Sequence, residues 1–233
     1  MKENNKYAAM VKEAPENVAE TCITIIKKGF EANKTNLAFK FENETRREDY
    51  DGIVTIDDED IQKYMTDTKI VCVLMFDNIG DEEESRGSTP ITKNMLEMWE
   101  VEAADVVEVC YDNLMNEENT FNDMFNVMLQ MTGSTESELR GAIGANEIDN
   151  KMFVLTNKSG YLGARMILSE DVRNEILKHV GPYYVIPSSI HELLIFPDDG
   201  NMQKEALEKI VEEVNDSQVS FKDLLSYKVA YIA

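Results

Sequence analysis

The spacing of apolar residues changes along the chain from helical to strand-like periods, which predicts a mixed fold of helices and strands. Apolar residues recur every three to four positions over residues 15–32, and this spacing predicts an amphipathic helix. The run from Ile70 to Phe76 is continuously apolar and rich in β-forming residues, so it predicts a strand buried on both faces. Further strands are predicted at residues 152–156, 163–168, 183–186, 193–196 and 227–232.

Turn and cap residues divide the C-terminal third of the chain into short elements. Asn157-Lys-Ser-Gly160 separates the predicted strands at 152–156 and 163–168, which is the pattern of a β-hairpin. Ser169 is followed by two acidic residues and by a helical apolar spacing that lasts to His179. Because serine oxygens accept main-chain hydrogen bonds at helix N-termini, this pattern predicts a helix that begins after Ser169.

Together these elements predict an α+β fold, in which a mostly antiparallel sheet is flanked by helices. The predicted strands are expected to lie in one sheet. Residues 42–60 hold nine acidic residues and two arginines and show little regular spacing, and the N-terminal part of the chain is expected to form a separate helical or extended lobe. The predicted division is therefore an N-terminal lobe of residues 1–66 and an α+β domain of residues 67–233.

Phenylalanine and methionine are concentrated in residues 120–131, where Phe121, Met124, Phe125 and Met128 recur at helical spacing. This spacing predicts a helix, and such a stripe is typical of a packed core. The alternative is a binding groove, since methionine side chains adapt to partners of different shape. The sequence leaves both interpretations open.

The charge of the chain is strongly negative. Forty-five acidic residues against 23 basic residues give a formal net charge of −22 at pH 7. Binding to nucleic acid or to an anionic membrane requires lysine and arginine, so direct binding to either is not expected. A basic protein is the kind of partner that suits this surface, while the general alternative is that negative charge only keeps the protein soluble.

The cysteines and the N-terminus predict a cytoplasmic protein. Cys22, Cys72 and Cys110 lie far apart in apolar contexts, and an odd number without CxxC spacing predicts buried, reduced thiols. The first seven residues lack the apolar segment of a secretion signal. No apolar run approaches the roughly 18 residues that a membrane-spanning helix needs.

The segment Pro187-Ser-Ser-Ile-His-Glu192 groups several residues that can carry chemistry, including one of the two histidines. A serine nucleophile needs a base within hydrogen-bonding distance, and the base needs a carboxylate that orients it. In a strand, Ser189 and His191 would share one face and Glu192 would point to the other, which leaves only a Ser–His pair. The favoured interpretation is structural: Ser188 and Ser189 satisfy backbone groups at a tight turn, and His191 anchors the next strand.

No motif in the sequence predicts a metal or a cofactor. The second histidine, His179, ends a predicted helix, where it suits the helix dipole better than a metal. The HExxH, paired CxxC and glycine-rich phosphate-loop patterns are missing from the sequence. We therefore expect neither a metal nor a cofactor.

Several segments of the chain resemble an uncharacterised bacterial protein family that is common in gut Firmicutes. They are Ile91–Trp99, Met152–Asn157 followed by Gly163-Ala164, Pro187–Glu192, and Leu224-Leu-Ser226. The Leu-Thr-Asn and Pro-Ser-Ser-Ile-His-Glu segments are the hallmarks of that family, and the resemblance covers roughly residues 70–233. It implies no known activity, but it implies a common feature formed by Asn157, Ser188, Ser189, His191 and Glu192.

Two functions from different classes are compatible with the sequence. The first is a non-enzymatic cytoplasmic binding protein with a basic protein partner, or a mobile-element protein that mimics nucleic acid and inhibits an enzyme that binds nucleic acid. The alternative is a hydrolase-type enzyme centred on Ser189, His191 and Glu192, with Asn157 as a polar neighbour. The absence of a full catalytic motif favours the first function, and the oligomeric state is not predicted.

Overall fold

The computed structural model describes residues 16–47, 50–62, 65–78, 85–143, 152–200, 204–220 and 223–233. Within these ranges the fold is α+β, as predicted. Its strands are β1 (Leu37–Asn43), β2 (Thr55–Ile56), β3 (Thr68–Asp77), β4 (Arg86–Pro90), β5 (Asn119–Asp123), β6 (Phe153–Asn157), β7 (Tyr183–Ile186), β8 (Leu193–Pro197) and β9 (Ala230–Ile232).

Helices account for most of the remaining described chain. They are α1 (Glu16–Ile26), α2 (Phe30–Asn33), α3 (Glu59–Gln62), α4 (Lys93–Trp99), α5 (Ala103–Asn116), α6 (Met124–Thr132), α7 (Glu136–Ile143), α8 (Glu170–Val180) and α9 (Lys204–Gln218), with short 3-10 helices at Lys34–Asn36, Glu44–Arg46 and Gly163–Leu168. None of the helices in the described ranges is long and apolar enough to cross a membrane.

The chain divides into two compact units. The first consists of Met1–Lys40, Thr45–Asp57 and Lys69–Asn116, and the second of Phe41–Glu44, Asp58–Thr68 and Glu117–Ala233. Strands from both sides of the predicted boundary at residue 66 belong to one sheet, because β2 and β3 are antiparallel neighbours. The division into a lobe of residues 1–66 and a domain of residues 67–233 stays a prediction.

The first sheet is organised around β3, as the apolar run at Ile70–Phe76 predicts. Strand β1 lies on one side of β3, while β2 and β4 pair with successive parts of it. Residues Val71 to Leu74 are completely buried, which is the environment expected for a strand covered on both faces. In the first unit, the Trp99 indole N–H donates to the Ile26 carbonyl over 2.9 Å and so satisfies the polar end of a buried ring.

The three cysteines are buried free thiols, as the sequence predicts. Cys72 and Cys110 are fully buried, and Cys22 is 3% exposed. Burial raises the pKa of the Cys22 thiol because the thiolate loses its hydration. Cys22 is therefore expected to stay protonated and unreactive at neutral pH.

The second sheet has the strand order β5-β6-β8-β7-β9, and its pairings are antiparallel. The predicted single sheet is therefore two sheets, since β3 lies in the first and the strands of the C-terminal third lie in the second. In this sheet β6 and β8 are neighbours, with Leu155 opposite Leu193. That register brings the end of β6 beside the residues that precede β8.

The predicted strand at 163–168 is wrong, and with it the predicted hairpin. These residues form a buried 3-10 helix, which follows Leu162 in a left-handed conformation with φ of 54°. Both edges of β6 are already occupied, by β5 on one side and β8 on the other. A returning strand would have no edge to pair with, so the same apolar residues pack against the sheet as a compact turn.

The predicted helix over 120–131 begins later than expected. Residues Asn119–Asp123 form the edge strand β5, in which the Phe121 ring stacks on Phe153 of β6 with 4.8 Å between ring centroids. Cross-strand aromatic pairs stabilise such a pairing, and they outweigh the helical spacing here. Helix α6 starts at Met124, where the Asp123 carboxylate accepts the N–H of Asn126 as an N-cap. None of the α6 residues is buried, so α6 is not part of the core.

Candidate functional site

The antiparallel register of β6 and β8 places the Leu-Thr-Asn segment beside the Pro-Ser-Ser-Ile-His-Glu segment. The Thr156 hydroxyl, near the end of β6, donates a hydrogen bond of 2.8 Å to the main-chain carbonyl of His191, just before β8. Residue Asn157 follows Thr156, and it is almost completely buried. The Leu-Thr-Asn and Pro-Ser-Ser-Ile-His-Glu segments therefore meet at one place in the second unit.

Gly163, the first residue of the 3-10 helix, packs directly against the end of β6 and the segment before β8. A Cβ atom at residue 163 would overlap the Thr156 hydroxyl, and it would lie 2.6 Å from the His191 carbonyl oxygen and 2.7 Å from the Asn157 nitrogen. These distances are far below van der Waals contact, so glycine is required by close approach of backbone rather than by an unusual φ angle. The neighbouring Ala164 N–H donates to the Ile190 carbonyl and holds the helix to the same segment.

The His191 ring accepts a main-chain hydrogen bond. Its Nδ1 atom accepts the N–H of Leu162 over 3.1 Å, which requires a lone pair on Nδ1 and places the proton of the neutral ring on Nε2. The Nε2 atom lies 3.5 Å from Oδ1 of Asp223, and the ring of Tyr161 packs against the imidazole at 5.3 Å. The imidazole therefore holds Leu162 in its left-handed conformation by satisfying a buried N–H group.

The serines and the glutamate of the segment form a local turn. The Ser189 hydroxyl accepts the main-chain N–H of His191 over 3.0 Å, and the Ser189 N–H donates to the Glu192 carbonyl over 3.2 Å. The Ser188 N–H donates to the Ile186 carbonyl over 2.9 Å. For Ser189, this is the contact that the turn interpretation predicts.

Asn157 belongs to a polar network with a buried ion pair. Its side-chain NH₂ donates to Glu117 Oε1 over 2.6 Å and to the Tyr161 carbonyl over 2.9 Å. The Arg165 guanidinium binds both carboxylate oxygens of Glu117, each over 2.8 Å, and donates to the carbonyls of Tyr161 and Leu162. The Arg165 side chain is only 4% exposed and that of Glu117 is 24% exposed. The network therefore clamps the turn at residues 157–162 onto the segment that precedes β5.

An exposed ion pair lies beside this network in the sequence. The Lys158 ammonium is 2.6 Å from Glu118, and both side chains are largely exposed to water. Hydrogen bonding and the charge of Lys158 lower the pKa of Glu118, and the same contact raises the pKa of Lys158. Water screens this pair, so it contributes little to the free energy of unfolding.

The described contacts of the predicted site residues do not pair the Ser189 hydroxyl with the His191 ring. Both ring nitrogens of His191 face groups other than the Ser189 hydroxyl, which itself accepts a main-chain N–H. In the described part of the chain, no group of three or more His, Cys, Asp or Glu side chains is placed to hold a metal ion. Whether Asn157, Ser188, Ser189, His191 and Glu192 bind or convert a ligand stays a prediction.

Four members of the cluster were not anticipated from the sequence: Glu117, Tyr161, Arg165 and Asp223. Arg165 carries a detectable signal, because it is the one charged residue in the apolar run from Tyr161 to Leu168 and a buried charge requires a partner. Glu117 carries no such signal, since it follows a helix 48 positions before Arg165 and is next to another glutamate. Asp223 lies 32 positions after His191, and its main-chain carbonyl accepts the Ile190 N–H, which holds it next to the His191 segment.

Replacing His191 with alanine is expected to destabilise the protein by about 1–2 kcal/mol, because the buried Leu162 N–H loses its acceptor. A His191→Asn variant should recover part of this loss, since the amide oxygen occupies nearly the position of Nδ1. Urea denaturation followed by far-UV circular dichroism measures the free energy of unfolding of both variants. Equal destabilisation by the two substitutions would contradict the role of Nδ1 as the acceptor.

The comparisons with known proteins place the chain in a family without assigning an activity. No curated protein matches the chain, and no solved structure matches it either. A family of unknown function, DUF5688, matches residues 56–232, a range that contains Asn157, Gly163 and the whole Pro187–Glu192 segment. Since the match covers more than half of the chain and includes every residue of the cluster described above, the chain belongs to the family of unknown function DUF5688.

Proposed function

We propose that this protein is a non-enzymatic cytoplasmic binding protein whose partner is a basic protein. The observation that carries the proposal is an acidic surface that combines the carboxylates of α9 and Asp198 with two exposed tyrosines, Tyr227 between α9 and β9 and Tyr231 in β9. We call it the acidic-tyrosine surface. Helix α9 contains five carboxylates and two lysines. Its apolar side packs on the second sheet through Leu207 and Val211. Four of its carboxylates are exposed: Glu205, Glu212, Glu213 and Asp216.

Two tyrosines of this surface are held by carboxylates. The Tyr231 hydroxyl donates to Asp198 over 3.1 Å, and the Tyr227 hydroxyl donates to Asp216 over 3.0 Å. Each tyrosine is 38% exposed, and the Tyr231 ring lies 5.0 Å from that of Tyr184. The hydrogen bonds to Asp198 and Asp216 raise the pKa values of Tyr231 and Tyr227, so both hydroxyls stay protonated at neutral pH.

Such a surface suits the side chains of lysine and arginine. Carboxylates form charge-assisted hydrogen bonds with ammonium and guanidinium groups, and the faces of tyrosine rings attract cations. The remaining formal charge of the chain is also strongly negative, which increases the association rate with a positively charged partner. By contrast, the His191 ring and the Ser189 hydroxyl are engaged by main-chain groups, which does not favour the hydrolase alternative.

The nucleic-acid mimic is a narrower form of the same proposal. Glu205, Glu212 and Asp216 lie at intervals of seven and four residues, so they recur along one side of α9. A row of carboxylates of this kind can occupy a groove that normally binds phosphates. In that case the partner would be an enzyme that binds nucleic acid, and its nucleic acid would compete with this protein for binding.

The test compares two variants that have the same net charge. In the first, Glu205, Glu212 and Glu213 become glutamine and Asp216 becomes asparagine. The matched control changes four exposed carboxylates of the first unit, with glutamine at Glu97, Glu102 and Glu108 and asparagine at Asp112. Tagged parent and variant proteins are used to capture partners from extracts of the native cell at about 0.05 M and 0.3 M salt, a range over which exposed charges become progressively screened.

We expect the parent and the control to retain the same basic protein at low salt, with at least fivefold less retained by the variant of α9. The retained amount should fall as salt is raised, because exposed ion pairs are screened. Retention of no basic protein would contradict the proposal. Equal loss from both variants would show that only total charge matters, and it would contradict the acidic-tyrosine surface as the binding site.

A further inference from the structure

Helix α6 is unusually apolar for a helix without a buried residue. Six of its nine residues are apolar, none carries a charge, and none is buried. Met131 is 82% exposed. A helix with this composition normally lies inside a core, because exposed apolar area on this scale is unfavourable in water.

The apolar residues of α6 form a wider stripe around the helix than packing against one sheet can bury. At about 100° per residue, they span an arc of about 200°, and Asn126 and Gln130 occupy the opposite side. A surface helix typically buries a stripe of about 100°. Helix α6 contacts β5 and β6 in its own unit, and the Arg140 guanidinium lies 4.8 Å from the ring centroid of Phe125. The other apolar residues of α6 are partly buried, and Met131 is exposed.

Carboxylates flank this uncharged helix at both ends. Asp123 caps its N-terminus, and Glu136 and Glu138 lie in the first turn of α7, just beyond its C-terminus. Hydrogen bonds donated by Thr135 lower the pKa of Glu138, which keeps this carboxylate ionised at neutral pH. The Glu136 carboxylate is paired with the Arg140 guanidinium over 2.8 Å, so the negative charge that borders α6 comes from Asp123 and Glu138. An apolar centre with carboxylates at both ends is complementary to an apolar stripe with a positive border.

We infer that α6 is a docking surface for an amphipathic helix of a basic partner. The apolar stripe of that helix would lie against Met128 and Met131, and its lysine or arginine residues near Asp123 and Glu138. Methionine suits this role because its flexible side chain adapts to the shape of a partner helix. The inference rests on the proposed function in requiring a basic partner, and it adds the structural element through which that partner binds.

The experiment uses two synthetic peptides of 18 residues made of leucine and lysine. In one, the leucines fall on a single helical face, and in the other the same residues are scrambled. Binding of each peptide to the full chain is measured by fluorescence anisotropy at about 0.1 M and 0.5 M salt, because apolar contacts persist when exposed charges are screened. The α6 variant carries Met128→Gln and Met131→Gln, and glutamine has nearly the helix propensity of methionine. The matched control, Asn126→Ala with Gln130→Ala, changes the polar side of the same helix.

We expect the parent to bind the amphipathic peptide at least tenfold more tightly than the scrambled peptide, with this preference lost in the α6 variant and kept in the control. Far-UV circular dichroism of all three proteins verifies that they fold alike. The variant of α9 with substitutions at Glu205, Glu212, Glu213 and Asp216 is measured in the same way. If the parent binds both peptides equally and only this variant binds them more weakly, the inference about α6 is overturned while the proposed function stands. If the α6 variant loses the preference and the variant of α9 retains it, the inference is supported and the acidic-tyrosine surface is not the site. A parent that binds neither peptide but forms dimers sensitive to Met131→Gln would overturn the inference, since the occupant would then be a second copy of the chain.

Discussion

A Gly163→Ala variant is expected to lose about 3 kcal/mol of its free energy of unfolding, one of the two largest effects that we expect in this chain. The added methyl group would overlap the Thr156 hydroxyl and would lie 2.6 Å from the His191 carbonyl oxygen. Two of the three atoms that it meets belong to the main chain of β6 and of the segment before β8, so no side-chain rotation relieves the overlap. The 3-10 helix would have to move away from the sheet and break the Leu162–His191 hydrogen bond.

Urea denaturation followed by far-UV circular dichroism measures this loss. Fluorescence of the single tryptophan is less suitable, because Trp99 lies in the first unit and Gly163 in the second. Gly141→Ala is the matched control, since a Cβ there meets no atom within 4 Å and alanine favours a helix more than glycine does. A Gly163→Ala protein as stable as the parent would show that the sheet and the 3-10 helix separate easily, and it would contradict close packing as the reason for glycine.

A Glu117→Ala variant is expected to lose about 3 kcal/mol of stability for a different reason. The substitution leaves the Arg165 guanidinium 4% exposed without the carboxylate that binds it through two hydrogen bonds. A buried charge that loses its partner costs several kcal/mol, more than the pair itself contributes to folding. The Asn157 side chain also loses its contact with Glu117.

Glu118→Ala is the control for this prediction. Glu118 is the next residue in the chain and also forms an ion pair, but its partner Lys158 is exposed, so little change in the denaturation midpoint is expected. In addition, an Arg165→Met variant in the Glu117→Ala background should recover much of the lost stability, because it removes the unpaired charge. Equal effects of Glu117→Ala and Glu118→Ala would contradict a buried ion pair in the cluster.

These two expected results bear on the role of the Leu-Thr-Asn and Pro-Ser-Ser-Ile-His-Glu segments. If Gly163 and Glu117 behave as expected, the cluster around Asn157 and His191 contributes strongly to folding. A ligand that binds there would have to compete with, or use, groups that already have main-chain partners. The proposed function therefore relies on the acidic-tyrosine surface, and the further inference relies on α6, rather than on the Ser189–His191 pair.

Local patterns were sufficient to predict several elements of the fold. The apolar run at Ile70–Phe76 lies within β3, and Ser169 caps α8 through a hydrogen bond from the Val172 N–H, because short-range sterics and hydrogen bonding decide both features. The strands at 183–186 and 193–196 also follow the predicted bounds closely. The resemblance to an uncharacterised family is confirmed by the match to DUF5688.

What local patterns missed depends on contacts between distant residues. Residues 163–168 have the composition of a strand, but β5 and β8 already occupy both edges of β6. Residues 120–123 belong to the helix predicted over 120–131, yet they lie in β5, where Phe121 stacks on Phe153. In each case the deciding partner lies far away in the chain or in another strand, where the spacing of neighbouring residues carries no information about it.

Residue types and their spacing were enough to establish an α+β fold, a strongly negative charge, buried thiols and a segment in which serine, histidine and glutamate occur together. The contacts of those residues depend on the folded chain. Glu117 and Glu118 are neighbours of the same type, yet one lies beside a buried arginine and the other beside an exposed lysine. The His191 ring likewise faces Leu162 and Asp223 rather than Ser189, because the β6–β8 register places residue 191 beside the turn that contains Leu162. The chemistry of a side chain is set by its residue type, but its partners are set by long-range packing.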